Sequence, residues 1–287
     1  MSGQTVKLSI GQCATLACLL EATAPKVGNV HRGADFEDLT FTDFAASAVM
    51  IGPVMEKAVR VGVGRTVLEA VKATRAVVGT NTNLGMALLI APLAAVPLEE
   101  LLTTAAVGNV LTGMNAEDSR LVYEAIRIAQ PGGMGKVESM DVAAEAPADL
   151  LTAMRAAAER DLVARQYAED FAIVLDEVLP AIVAGRSRGW SLTDAIIHTH
   201  LALIAGHGDS LICRKCGEEI SAGASTIAKQ VLRSGNPGDD VYYEALADFD
   251  FWLRSDGNQR NPGTTADLMA AALFAGLRDG YLPPPWK

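Results

Sequence analysis

An all-α fold is what this sequence predicts, and three observations predict it. Apolar residues recur at helical spacing, helix-capping signatures punctuate the chain, and no run of alternating β-branched residues lies between hairpin turns. With 287 residues and 50% hydrophobic content, such helices can close around a large core.

The elements follow in order. The apolar stretch 13–20 is short, ends at Glu21 and lacks the basic region of a secretory leader. The segment "PKVGNVHRGADFEDLTF" (25–41) cannot be helical: proline and glycines interrupt it, and it places Lys26, His31 and Arg32 just before Asp35, Glu37 and Asp38. Thr40 and Asp43 then form a capping signature for a second helix. In "GRTVLEAVKATRAVVG" (64–79), Val67, Val71, Thr74 and Val78 line one face of the next. The run 84–98 is the longest apolar stretch, but two prolines interrupt it and it is shorter than the ~20 residues of a spanning helix. Residues 147–185 read as one long helix, bent near Pro180. Ser191–Asp194 and Thr264–Asp267 are further capping signatures, and Gly108, Gly185, Gly206 and Gly235 sit where helices should end. No linker or repeat divides the chain, so one domain over 1–287 is expected, with its active site on loops at helix termini. The alternative is a boundary in "QPGGMGKVES" (130–139), whose glycines lack the spacing of a phosphate-binding P-loop.

Charge and thiols narrow the function. A net charge of −10 and a pI near 4.9 exclude a nucleic-acid backbone as the main partner, whereas a few local cations can still hold a phosphate ligand. Four cysteines make no disulfide framework in a chain of this size, which points to reduced thiols and the cytoplasm. A mean hydropathy of +0.22 leaves room for a homodimer.

Four loops carry chemistry-bearing residues. In the first, Asp35 and Glu37 are hard oxygen ligands suited to Mg²⁺, and Lys26, Gly28, Asn29, His31 and Arg32 suit phosphate. In the second, Asn81, Thr82, Asn83 and Gly85 open an apolar helix whose N-terminus can cap itself or receive an anion. The third, "HGDSLICRKCGEE" (207–219), combines Asp209 with Arg214 and Lys215. Its Cys213-x-x-Cys216 pair lacks a complete zinc ligand set, so no zinc is expected. The fourth, "NPGTTADLMAAALFAGL" (261–277), places Gly263, Thr264, Thr265 and Asp267 at the start of an almost wholly apolar helix.

Taken in order, these loops resemble the motifs of the triphosphoribosyl-dephospho-CoA synthase family. A Pro-Lys-Pro-Gly turn and acid pair ahead of Thr-Phe is similar to Pro25-Lys26-Val27-Gly28, Asp35-Phe36-Glu37 and Thr40-Phe41. A Gly-x-Asn-Thr-His-Lys-Gly motif is similar to Thr80-Asn81-Thr82-Asn83-Leu84-Gly85. An Asp-Thr-Asn stretch leading to Arg and Gly is similar to Asp209-Ser210 leading to Lys215 and Gly217. A closing Ser-Pro-Gly-Gly-Ser-Ala-Asp motif is similar to Asn261-Pro262-Gly263-Thr264-Thr265-Ala266-Asp267. The His-Lys pair of the second motif is Asn83-Leu84 here, which marks a divergent branch.

The resemblance implies a transferase that displaces adenine from ATP and joins its 5-triphosphoribosyl group to a hydroxyl of dephospho-CoA or a related cofactor precursor, with Mg²⁺ as cofactor. It makes Asp35, Glu37, Asp209 and Asp267 the catalytic candidates. Other readings are a nucleotide-using enzyme of a pterin or furan coenzyme pathway and an inactive nucleotide-binding relative. Neither nucleic acid nor membrane is an expected partner. Asp35, Asn81, Asp209 and Asp267 should line one pocket.

Overall fold

The computed structural model describes residues 7–132 and 145–286. It is helical, with no strand among the described residues and only two isolated bridges, His31 with Ala34 and Phe36 with Leu39, inside the first loop. The helices are α1 (Ile10–Thr23), α2 (Phe41–Met55), α3 (Ala58–Val61), α4 (Val63–Arg75), α5 (Leu84–Ala95), α6 (Thr104–Thr112), α7 (Ala116–Ala129) and α8 (Leu150–Ala157). They continue with α9 (Leu162–Ala168), α10 (Leu179–Ser187), α11 (Leu192–His207), α12 (Ser210–Cys216), α13 (Glu218–Ser234), α14 (Asp240–Arg254) and α15 (Gly263–Arg278). No described helix is long and apolar enough to cross a membrane.

The core forms around α5 and α15. Both are apolar nearly all round, so both are buried on almost every side, and α1, α4, α7, α9 and α10 pack over them. Val67, Val71, Thr74 and Val78 are buried as their spacing requires. A second, smaller cluster joins Val27 to Leu201, Ile204, Ile212, Ala228, Tyr242 and Phe249, and holds α12, α13 and α14 together.

Two local expectations are corrected. Residues 147–185 are not one helix. Asp161 accepts hydrogen bonds from the backbone N–H groups of Val163 and Ala164 and restarts the helix as α9. Asp170 and Phe171 then take positive φ, and a π-helical turn over Ile173–Val178 leads into α10. Of the four glycines expected at helix ends, Gly235 ends α13, while Gly108, Gly185 and Gly206 lie inside α6, α10 and α11. The boundary considered at 130–139 falls mostly in 133–144, outside the described residues.

Candidate active site

A cavity of about 670 Å³ is bounded by α1, α5, α7, α8, α12 and α15. Pockets of roughly 300–1,000 Å³ are the usual size for a small-molecule ligand. One wall is apolar, made by Leu88, Tyr123, Ile126, Leu150 and Met154. The cavity is also lined by three cations, Arg160, Arg214 and Lys215, with Asp38, Asp161 and Asn258 beside them. Glu21 and Asp267 line it as well.

Asp267 owes its place to α15. The helix is too apolar to lie anywhere but the core, and it carries this carboxyl in with it, facing the cavity. The carboxyl packs on the Cα of Gly85: a methyl group built there would come within 2.0 Å of Asp267 Oδ2. Burial pushes its pKa well above the usual carboxylate range, and the charges of Glu21 and Asp209 push the same way. The capping box expected between Thr264 and Asp267 is absent, because α15 starts at Gly263, two residues before the Thr265 start that such a box requires, and Asp267 is turned towards the cavity. Gly85→Ala should therefore displace Asp267. A loss of turnover of about 10²-fold is the expected result, since an ångström of misplacement has that scale of effect. Steady-state kinetics beside a melting curve of the variant checks it.

Asp209 is behind the cavity rather than on its wall. Its Oδ1 accepts from the N–H groups of Leu211 (2.8 Å) and Ile212 (3.1 Å), capping α12. Its Oδ2 accepts from Thr265 N (2.7 Å) and Thr265 Oγ1 (3.0 Å), satisfying the start of α15. Thr265 also meets His200 Nε2 at 3.0 Å, and burial lowers the pKa of that imidazole to about 3, so it is neutral. Asp209 and Thr265 thus register two helix starts, and neither lines the cavity.

The loop before α5 contributes wall. Asn81, Thr82, Asn83 and Gly85 all line the cavity. Asn81 Oδ1 caps Leu84 N at 3.1 Å, Thr82 bonds Ser47 at 2.5 Å, and Asn83 Nδ2 donates to Thr74 Oγ1 at 2.9 Å. The polar side chains that the sequence offered as anion ligands are therefore largely engaged in holding the loop.

The opening loop departs most from expectation. Lys26 is fully buried, its Nζ 2.7 Å from Glu21 Oε1 and donating to the backbone oxygens of Glu21 and Ala24. Gly28, at φ +70°, donates its N–H to Asp250 Oδ1, and Arg254 grips the Asn29 carbonyl and stacks on Phe36. The loop is thus tied to α14. Asn29 reaches the cavity, hydrogen-bonded to Asn261 at 2.6 Å, and Gly263 and Thr264 line it beside that pair. Gly28, Lys26, His31, Arg32, Asp35 and Glu37 do not line it. His31 Nδ1 accepts from Gly33 N, and Asp35 Oδ1 accepts from Phe41 N at 2.6 Å, at the start of α2. Asp35→Asn should accordingly leave the stabilisation by ATP and Mg²⁺ unchanged. Melting temperatures with and without the nucleotide check this, and a lost ligand shift would return Asp35 to the site.

A resident metal finds no cage. Asp35 and Glu37 are exposed and away from the cavity, and among the described residues no group of three or more His, Cys, Asp or Glu side chains is arranged to hold an ion. Cys213 and Cys216 are free thiols, and Cys216 Sγ donates to the Gln259 carbonyl. The cations, by contrast, have donors to spare. Arg214 pairs with Asp161, Lys215 Nζ donates to the Asn258 carbonyl at 3.2 Å, and among the described residues Arg160 donates to the Ala156 carbonyl alone, at 3.3 Å. Burial lowers the pKa of Lys215, a cost that a bound polyanion would offset.

The sequence reading missed Glu21, Asp38 and Arg160. Glu21 alone left a signal: it is the acid that ends an apolar helical run, where an unpaired charge is costly. The family model described as "CitG: ATP:dephospho-CoA triphosphoribosyl transferase" matches residues 7–284. Among solved structures, the chain is similar to a protein of Archaeoglobus fulgidus described as a putative triphosphoribosyl-dephospho-CoA synthase. The two are 24% identical with a TM-score of 0.63, over 83% of this chain and 99% of that one. No curated protein matches.

Proposed function

The chain belongs to the CitG family of ATP-dependent triphosphoribosyl transferases, and we propose that it moves the 5-triphosphoribosyl group of ATP to a hydroxyl of dephospho-CoA inside the cavity described above. The observation that carries this reading is the mixed lining of that cavity: apolar side chains, three cations, and Asp267 with a raised pKa. The apolar wall suits the adenine ring. Arg160, Arg214 and Lys215 suit the triphosphate, with the two guanidiniums able to bind its oxygens in pairs. Fixing both ends of ATP holds C1′ of the ribose in place, and binding energy remote from that carbon is used for positioning. Asp267 is then the acid–base group for a reaction whose transition state resembles an oxocarbenium ion.

Magnesium enters this reading as the companion of the triphosphate, not as a resident ion. Of the two carboxylates beside the cations, Asp161 is paired with Arg214, and Asp38, held by Asn258 Nδ2 at 2.7 and 2.8 Å, is the candidate partner of the ion. Site, reaction and chain form one catalytic unit over 1–287, and four free cysteines suit the cytoplasm.

The test is to incubate the protein with ATP, Mg²⁺ and dephospho-CoA and to follow free adenine and the mass of the acceptor. Adenine released in equal amount to a triphosphoribosylated product is the expected outcome. ADP, AMP or pyrophosphate without adenine would remove the reading.

A further inference from the structure

Glu21 and Asp267 line the same cavity, and among the described residues the ion pair of Glu21 with Lys26 is the one that either carboxyl makes. That cation, Lys26, is committed to Glu21: its Nζ lies 2.7 Å from Oε1 and its remaining protons go to backbone oxygens. Glu21 is only 3% exposed, and its second oxygen, Oε2, is buried without a hydrogen-bond partner. Burial raises the pKa of Glu21, and the Lys26 ammonium opposes that shift and favours the charged form; among the described residues no second donor compensates it. Asp267 is packed over Gly85, and among the described residues no hydrogen bond or ion pair stabilises its ionised form. The charged groups facing it are Glu21 from α1, Asp209 from the start of α12, Arg214 from α12 and Asp161 from the start of α9. Arg214 is largely cancelled by its own ion pair with Asp161. The positive end of α5 at Gly85 opposes the trend, but Glu21, Asp209 and burial all act against a second bare charge.

We propose that Asp267 rests as a neutral carboxylic acid which protonates the departing adenine, and that Glu21, anchored by Lys26, is the positioning residue that keeps the proton there. The proposal rests on the transferase reading above and specifies its proton donor. As the bond from C1′ to the adenine ring nitrogen breaks, its electron pair goes to the ring, and the Asp267 proton neutralises the ring. The acceptor oxygen forms the new bond to C1′ and releases its proton to water. The Asp267 carboxylate then takes a proton back from solvent.

The experiment is the pH profile of kcat/KM for adenine release in the wild type, Glu21→Asp, Glu21→Gln and Glu21→Gln/Lys26→Met. The double variant removes both charges of the buried pair and carries the test if Glu21→Gln, with Lys26 left unpaired, does not fold. Turnover in the wild type should fall on the alkaline side as Asp267 loses its proton. Without the Glu21 charge this limb should move to lower pH, less in the double variant than in the single one. A shift of one pH unit is a tenfold loss of rate at a fixed pH on the limb. Glu21→Asp, which keeps the charge, should leave the limb near its wild-type position. A limb unmoved in every variant would make Glu21 merely structural and overturn the proposal, and so would a rate that rises as Asp267 ionises. NMR of ¹³C-carboxyl-labelled aspartate, with Asp267→Asn identifying the resonance, separates this from failure of the reaction itself. A neutral Asp267 at pH 7 supports the assigned charge state whether or not adenine appears, and an ionised one overturns it.

Discussion

Replacing Asp267 by Asn is expected to lower adenine release by about 10²–10⁴-fold, the usual contribution of a positioned acid–base group. The fold should not weaken with it. The carboxyl caps no helix and takes part in no hydrogen bond or ion pair among the described residues, so asparagine replaces a carboxyl whose ionisation burial disfavours without orphaning a partner. Linkage adds a check. The folded-state pKa of Asp267 is raised, so between the unfolded value and the folded one the native state binds more protons than the unfolded state. This contribution to stability is fully present below the unfolded pKa and is lost as pH rises through the folded pKa. The Asn variant lacks that loss and should gain on the wild type as pH rises through the window. Chemical denaturation at several pH values measures it. A variant that melts lower at every pH would show Asp267 to be a structural acid.

Asp209→Ala should have the largest effect on stability. It strips the cap from α12 and the acceptor from the start of α15 at once, orphaning the donors of Leu211, Ile212 and Thr265. Helix caps are worth about 0.5–2 kcal/mol each, and buried unsatisfied donors about 1–3 kcal/mol, so a loss of about 2–5 kcal/mol is expected. For a chain of this size that is a fall of roughly 5–15 °C in Tm. Asp209→Asn keeps one acceptor oxygen and should fall less. A Tm within a degree of the wild type for Asp209→Ala would refute the double-cap role.

Much of the fold could be read from the sequence because helical periodicity and caps are local. The Val67–Val71–Thr74–Val78 face and the Thr40–Asp43 box depend only on neighbours in the chain, and both are found. The break at Asp161 escaped because helical composition continues through it, so only an aspartate used as a cap marks the restart. The site was half legible for a related reason. Asp267, Asn81, Arg214 and Lys215 were found because each sits beside a helix start or in a motif. Lys26 was read as a phosphate ligand because nothing in the sequence shows that it is buried against Glu21, five residues before it. Asp35 and Glu37 were favoured for their spacing, yet spacing does not tell which way a loop faces, and the latch of that loop onto α14 turns them outward.

The helices around the cavity are seated on two different hydrophobic clusters, with a consequence for how this protein can diversify. Asp267 is carried by α15, whose apolar residues belong to the larger cluster, whereas Arg214 and Lys215 ride on α12, seated through Ile212 on the smaller one with Ala228 and Tyr242. Close-packed interiors transmit small changes in volume instead of absorbing them. A methylene gained or lost under α12 would therefore shift the cations relative to the acid by a fraction of an ångström, with no ligand-contacting residue altered. Substrate preference can drift by this route while the chemistry stays fixed, and the positions most open to selection for a new acceptor lie where no ligand ever touches.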